Sequence, residues 1–137
     1  MSQILAGMPY IYKGVTITPL LPALEDKGED ILLMQKRDKQ VIITFPEQVQ
    51  RRWEAIIFSR LPIKPSLSPF RFRGKLCLFL NGTTFYGEDK QPIANITDGS
   101  YRVKARFQFL SINEKDGETR LKIKLLSIML MKEPCPW

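Results

Sequence analysis

Ser100-Tyr-Arg-Val-Lys-Ala-Arg-Phe-Gln-Phe109 and Thr119-Arg-Leu-Lys-Ile-Lys-Leu125 alternate residue by residue between apolar and polar, mostly basic, side chains. A period of two marks strands, because successive side chains leave a strand on opposite faces. Tyr101, Val103, Ala105, Phe107 and Phe109 fall on one face, with Arg102, Lys104, Arg106 and Gln108 on the other. In the second segment Leu121, Ile123 and Leu125 oppose Arg120, Lys122 and Lys124. The connector 113–118 contains Asp116-Gly117, a favoured turn pair, so the two segments read as an antiparallel hairpin. One register buries every apolar residue and leaves a positively charged ribbon on the other side.

A third segment, Phe70-Arg-Phe-Arg-Gly-Lys-Leu-Cys-Leu-Phe-Leu80, repeats the pattern. Phe70, Phe72, Leu76, Leu78 and Leu80 form its apolar set, and Arg71, Arg73 and Lys75 alternate with them, followed on the same side by Cys77 and Phe79. Like charges placed side by side in a sheet repel, so a merely soluble sheet mixes signs. Here the polar faces of three strands carry basic residues and no acid. The acids gather in expected connectors: Glu25, Asp26, Glu29 and Asp30, then Glu88 and Asp89, then Glu114, Asp116 and Glu118.

The remainder frames that sheet. At 137 residues the chain reads as one nucleic-acid-binding domain, with a flexible arm over 1–9 and a flexible tail over 132–137. Tyr10 to Thr18 alternates as a single strand, Ile11, Val15 and Ile17 against Tyr10, Tyr12, Thr16 and Thr18, and 19–30 follows as an acidic connector containing prolines. Ile31–Lys36 and Gln40–Phe45 read as strands joined by a tight polar turn. Pro46-Glu47 opens a helix over about 46–60, stopped by Leu61-Pro62, with Trp53 as a core anchor. A Pro-rich linker, 61–69, leads to the basic strands. The stretch 81–99 reads as a long loop carrying Phe85 and Tyr86, and 125–131, apolar on both faces, as the end of the last strand running beneath the helix.

With 21 Lys and Arg against 14 Asp and Glu, a net charge of +7 favours a polyanionic partner. The chain has no histidine and two cysteines, Cys77 and Cys135, without a CxxC spacing. That removes Ser-His and Cys-His chemistry and leaves a zinc site short of ligands, so no enzyme, metal or cofactor is expected. A nuclease would need clustered carboxylates for Mg²⁺, and these acids form no such motif. No apolar run approaches a membrane span and no signal peptide opens the chain, which points to a cytoplasm, its own or a host's, and to no membrane partner.

These elements suit a mainly β fold: a small OB-like Greek-key barrel of about five to six strands, one helix and long loops. Such a sheet tracks a single strand's phosphates while aromatics stack on unpaired bases. The expected phosphate ligands are Arg71, Arg73, Lys75, Arg102, Lys104, Arg106, Arg120, Lys122 and Lys124. The expected stacking residues are Phe79, Tyr10, Tyr12, Phe85 and Tyr86. Two alternatives stay open. An RNA-binding module would use the same surface. A structural protein, such as a small virion or assembly component, would turn its basic face to an acidic partner.

Asp98-Gly-Ser-Tyr-Arg-Val-Lys-Ala-Arg-Phe-Gln-Phe109, a turn, and then Leu125-Leu-Ser-Ile-Met-Leu130 resemble the C-terminal hairpin of phage and viral single-stranded DNA-binding proteins with OB folds, over about residues 70–131. The resemblance implies an accessory of replication or recombination that coats exposed single strands, acting alone or as a homo-oligomer. Many such proteins end in an acidic tail with a terminal aromatic that recruits a replication partner. Here Trp137 supplies the aromatic, and Glu133 is the nearest acid.

Overall fold

The computed structural model describes residues 5–26, 30–70, 74–94 and 96–131. In chain order the strands are β1 Leu5–Ala6, β2 Tyr10–Tyr12, β3 Val15–Asp26, β4 Leu32–Arg37, β5 Gln40–Thr44, β6 Lys75–Phe79, β7 Thr84–Tyr86, β8 Pro92–Ile93, β9 Gly99–Lys115 and β10 Glu118–Leu130. One helix, α1, covers Glu47–Arg52. The architecture is mainly β, as expected, but with more strands than five or six, three of them long: β3, β9 and β10 have 12, 17 and 13 residues.

The hairpin of β9 and β10 organises the rest. Asp116 and Gly117 both have positive φ, 53° and 78°, which a two-residue turn matched to the strand twist requires. The turn sets Leu121 opposite Ile112, Ile123 opposite Phe109 and Leu125 opposite Phe107, and all six are buried. Two register shifts interrupt the ladder, between Lys122 and Ile123 and between Leu125 and Ser127. The first leaves Leu110 unopposed and reverses the parity of β9 beyond it. The second does the same to β10 at Leu126, which is how Ile128 returns to the core.

β9 is flanked along its whole length. β10 pairs along one edge. On the other edge β4 pairs with Gly99–Val103, and β3 pairs with Phe107–Glu114. The sheet runs β6-β5-β4-β9-β10-β7-β8, with β1 and β2 on the outer edge of β3. Among the described residues every ladder is antiparallel except that of β7 with β10. The sheet is open and coiled. Cα atoms of β6 and β10 come within 8 Å of each other, yet no backbone ladder joins them.

Four expectations need correction. Tyr10–Thr18 is not one strand but a hairpin turning at Lys13-Gly14, both at positive φ (50° and 79°). A two-residue turn places Tyr12 opposite Val15, so Tyr10, Tyr12, Val15 and Ile17 share one face. Leu5 and Ala6, expected in a loose arm, pair with Leu21 and Leu20. Glu25 and Asp26 belong to β3 and not to a connector, because β3 shifts register between Pro19 and Leu24 and resumes pairing. Finally, the loop 81–99 contains β7 and β8, and it is β7, not the helix, that lies beside the end of β10.

The helix stands where the sequence places it. α1 continues through a π turn at Trp53–Ile57 and a 3-10 turn at Phe58–Arg60, and Leu61 is already extended, as a residue before proline should be. Glu47 in the first turn and Arg51 and Arg52 in the last suit the helix dipole. Val49, Trp53 and Ile57 lie on its buried face. Trp53 is fully buried, its ring centroid 4.7 Å from Phe45, 5.1 Å from Phe107 and 5.1 Å from Phe109, all close to perpendicular. Such edge-to-face pairs add to area burial.

Where the chain enters β6, Gly74 has φ +77°, and a Cβ there would sit 1.9 Å from the Gln50 side-chain nitrogen and 2.9 Å from the Phe45 carbonyl. Gln50 in turn donates to that carbonyl, and the Gly74 carbonyl accepts from the Phe45 N–H. Gly74→Ala should therefore cost more than Gly82→Ala, whose φ is +67° with nothing within 4 Å. We expect about 1 kcal/mol at Gly82 from backbone strain alone, and about 2–3 kcal/mol at Gly74, measured by urea unfolding. Equal losses would mean that crowding at Gly74 is absent.

Asp98 ties this end of β9 to the β4–β5 turn. It accepts from Lys36 Nζ at 2.9 Å and from the Asp38 N–H at 3.0 Å. The hydrogen bond from Lys36 first, and that from Asp38 second, hold its carboxyl below the usual range. A depressed carboxylate stabilises the fold above its unfolded value of about 3.9, and that stabilisation is lost as pH falls through the folded value. The stability gap between wild type and Asp98→Asn should thus be open at pH 6 and close below about pH 4, as read from urea midpoints. A gap independent of pH would contradict this role.

Candidate nucleic-acid interface

The register decides which basic residues share a face and how closely they approach. Arg120 sits opposite Asn113, Lys122 opposite Ser111, Lys124 opposite Gln108, Lys104 opposite Met129 and Arg106 opposite Ser127. No two basic residues of the hairpin are directly opposed. The charged face therefore avoids the like-charge pairs that would destabilise it.

Rows of side chains extend this face across the sheet. Arg102, Leu33, Thr44 and Lys75 form one row over β9, β4, β5 and β6. Arg120, Asn113, Ile17 and Tyr10 form another over β10, β9, β3 and β2. The basic face is thus bent around the coil of the sheet and not laid out as one flat ribbon.

The coil brings its two ends together at a cleft of about 1200 Å³ between β6 and β10. Phe70, Leu76, Cys77, Leu78 and Phe79 line one wall, and the β10 residues from Arg120 to Leu125 line the other, with Asn113, Lys115 and Val15 at one end. Leu76, Leu121, Ile123 and Leu125 belong to the core, so their apolar surface forms the floor. Arg120, Lys122 and Lys124 are exposed at the rim. Phe79, 73 % exposed, stands on the opposite wall.

Both edges of the cleft are pinned. At one end the Thr119 carbonyl accepts from the Leu67 N–H at 3.1 Å, while Ser66 and Thr119 exchange backbone-to-hydroxyl hydrogen bonds. At the other, Thr83 Oγ1 donates to the Leu125 carbonyl at 2.8 Å. Between these brackets no strand among the described residues pairs with the outer backbone edge of β10, which faces the cleft. Compared with known proteins, the chain matches no family model, no curated protein and no solved structure at a significant level. What supports a function is the geometry of the chain itself.

Of the residues expected at the interface, the structure brings Phe79, Arg120, Lys122 and Lys124 to the cleft, while Lys75 lies in the row with Thr44, Leu33 and Arg102. Arg71 and Arg73 lie outside the described residues, as do Cys135 and Trp137. Arg106 pairs with Glu25 at 2.7 Å, an acid that the strand extension of β3 carries onto the basic face. Lys104 is half-buried beside Met129, which itself neighbours Tyr86. Arg102 lies in the row with Lys75, away from the hairpin tip.

The loop aromatics separate. Phe85 packs against the core opposite Ile128, so its ring supports the sheet. Tyr86 is half-buried between Met129 and Pro92. Tyr10 and Tyr12 are exposed on β2, three strands across from Arg120. Sequence reasoning missed Lys115 and Asn113 as parts of the cleft. Lys115 was hidden because parity changes at Leu110, and no residue type announces such a bulge.

No helix among the described residues is long and apolar enough to cross a membrane.

Proposed function

We propose that the chain binds single-stranded nucleic acid, DNA above all, along the cleft between β6 and β10, with little sequence preference. The observation that carries this reading is the cleft's division of labour: an exposed aromatic, Phe79, on one wall and a row of Arg120, Lys122 and Lys124 on the other, with Arg120 paired to Glu118 at 3.7 Å at the end where Asp116 also lines the cleft. Phosphates would run along the basic rim, with Lys115 continuing it at one end, and a base would stack on Phe79. A duplex is too wide for a gap between two strand edges. In this reading β9, β4, β5, β6 and β10 make up an OB-like barrel left open at its β6–β10 seam, and the ligand occupies the seam. A protein working this way would cover single strands exposed in replication or recombination.

The test is fluorescence anisotropy with labelled single-stranded DNA, single-stranded RNA and duplex at two salt concentrations. The four cations that line the cleft, Lys115, Arg120, Lys122 and Lys124, predict a slope of log K against log salt of about −3, at −0.7 per phosphate for single strands. Duplex binding equal to single-strand binding would overturn the proposal, and stronger binding to RNA would change its ligand. Phe79→Ala should weaken single-strand binding by about 1–3 kcal/mol with no loss of stability, since the ring is exposed, whereas Tyr86→Ala should leave affinity unchanged. The reverse pattern would move the stacking site to β7.

A further inference from the structure

The first 24 residues contain one charged side chain, Lys13, in a chain that carries 21 bases and 14 acids. They build the β1–β2–β3 edge of the sheet. This edge exposes Leu5 at 59 %, Met8 at 87 %, Tyr10 at 53 %, Ile11 at 75 %, Tyr12 at 58 % and Leu21 at 53 %. Six large side chains so exposed are on the order of one partner's share of a specific interface, about 800 Å². Scattered apolar residues need no explanation, but this many along one sheet edge, Tyr10 and Tyr12 on one face and Ile11 on the other, do.

We infer that this edge is the contact between two copies of the chain, paired antiparallel through β2 about a two-fold axis at Ile11. Three observations select a second copy as the occupant. Two chains of net charge +7 repel across most of their surface, and this is the region where they meet without apposing charges. The strand Tyr10-Ile11-Tyr12 reads the same in both directions, so antiparallel pairing sets Ile11 against Ile11 of the partner and each Tyr10 against the partner's Tyr12. An isologous interface demands such self-complementarity. Pro9 and Lys13 flank the strand, and both are residues that blunt a sheet edge, so pairing stops after three residues and closes as a dimer without propagating.

The pairing uses the outer edge of β2, whereas the cleft lies between β6 and β10, with Val15, opposite Tyr12, at its near end. Tyr10 and Tyr12 are thereby assigned to the dimer and not to base stacking.

Sedimentation velocity of the full chain over about 1–100 μM, without nucleic acid, tests this. A dimer is expected, tightening as salt rises because salt screens the repulsion between two cations; nucleic-acid binding responds to salt in the opposite sense. Ile11→Arg should weaken the dimer at least tenfold with an unchanged far-ultraviolet circular dichroism spectrum, as should Ile11→Glu. Mixing the two variants should restore association, because the two-fold sets Arg against Glu. A wild-type chain that stays monomeric at 100 μM overturns the inference. So does a mixture that fails to recover, which would show that residue 11 does not face its own copy. None of these readouts depends on whether the cleft binds nucleic acid.

Discussion

Replacing Arg120, Lys122 and Lys124 together by Glu should abolish single-strand binding under conditions where the wild type is saturated. Each phosphate paired by a cation contributes about 0.7 to the salt slope, so three contacts at 0.1 M salt amount to a factor on the order of 100 in affinity. Reversing the charges adds repulsion on top of that loss. The salt slope should flatten by about 2 for the same reason. Folding should survive, because all three side chains are exposed, and the ion pair lost, Arg120 with Glu118 at 3.7 Å, joins two exposed groups and contributes little. A melting temperature within a few degrees of wild type, measured beside the titration, separates lost binding from lost structure. Affinity unchanged by the triple replacement would remove the β10 rim from the binding site.

Trp53→Ala is expected to be the most destabilising single change in the molecule, at about 3–5 kcal/mol. The ring is fully buried and joins the helix to both halves of the sheet by contacting Phe45 from β5's end and Phe107 and Phe109 from β9. A domain of this kind has only about 5–15 kcal/mol in total, so the variant should be partly unfolded at modest urea. Trp53→Phe should be far milder. The indole N–H is buried with no hydrogen-bond acceptor among the described residues, and an unsatisfied buried donor costs about 1–3 kcal/mol. Phenylalanine leaves a smaller cavity than alanine and removes that donor. Equal losses for the two variants would show that the N–H is satisfied in solution.

The hairpin was legible because its two signals coincide: strict alternation over Tyr101–Phe109 and Leu121–Leu125, and an Asp116-Gly117 pair suited to positive φ. The helix was legible from Pro46, Glu47 and Pro62. The errors have a common source in parity. A two-residue turn at Lys13-Gly14 and bulges beside Leu110 and Leu126 each exchange the two faces, and backbone pairing, not residue type, places them. β7 is three residues long and exists through a parallel ladder with a strand more than forty positions away, which no local pattern records. Glu25 joined the basic face because pairing resumed beyond Pro19 and Pro22. The cleft itself was beyond a linear reading, since its two walls meet only after the sheet has coiled.

The central position of β9 has a consequence for how the chain is made. β3, β4 and β5 leave the ribosome long before β9, the strand that closes the inner edges of both β3 and β4. At about 5–20 residues per second the interval between Arg37 and Gly99 lasts several seconds. During that time the nascent chain presents a β4–β5 ribbon and a nearly uncharged N-terminal segment whose inner edges, those of β4 and β3, have no β9 to pair against. Its vulnerable period is therefore on the ribosome. A chain stalled before residue 99 should behave as an aggregation-prone fragment, and expression yield should respond to translation speed and holding chaperones more than to the stability of the finished fold.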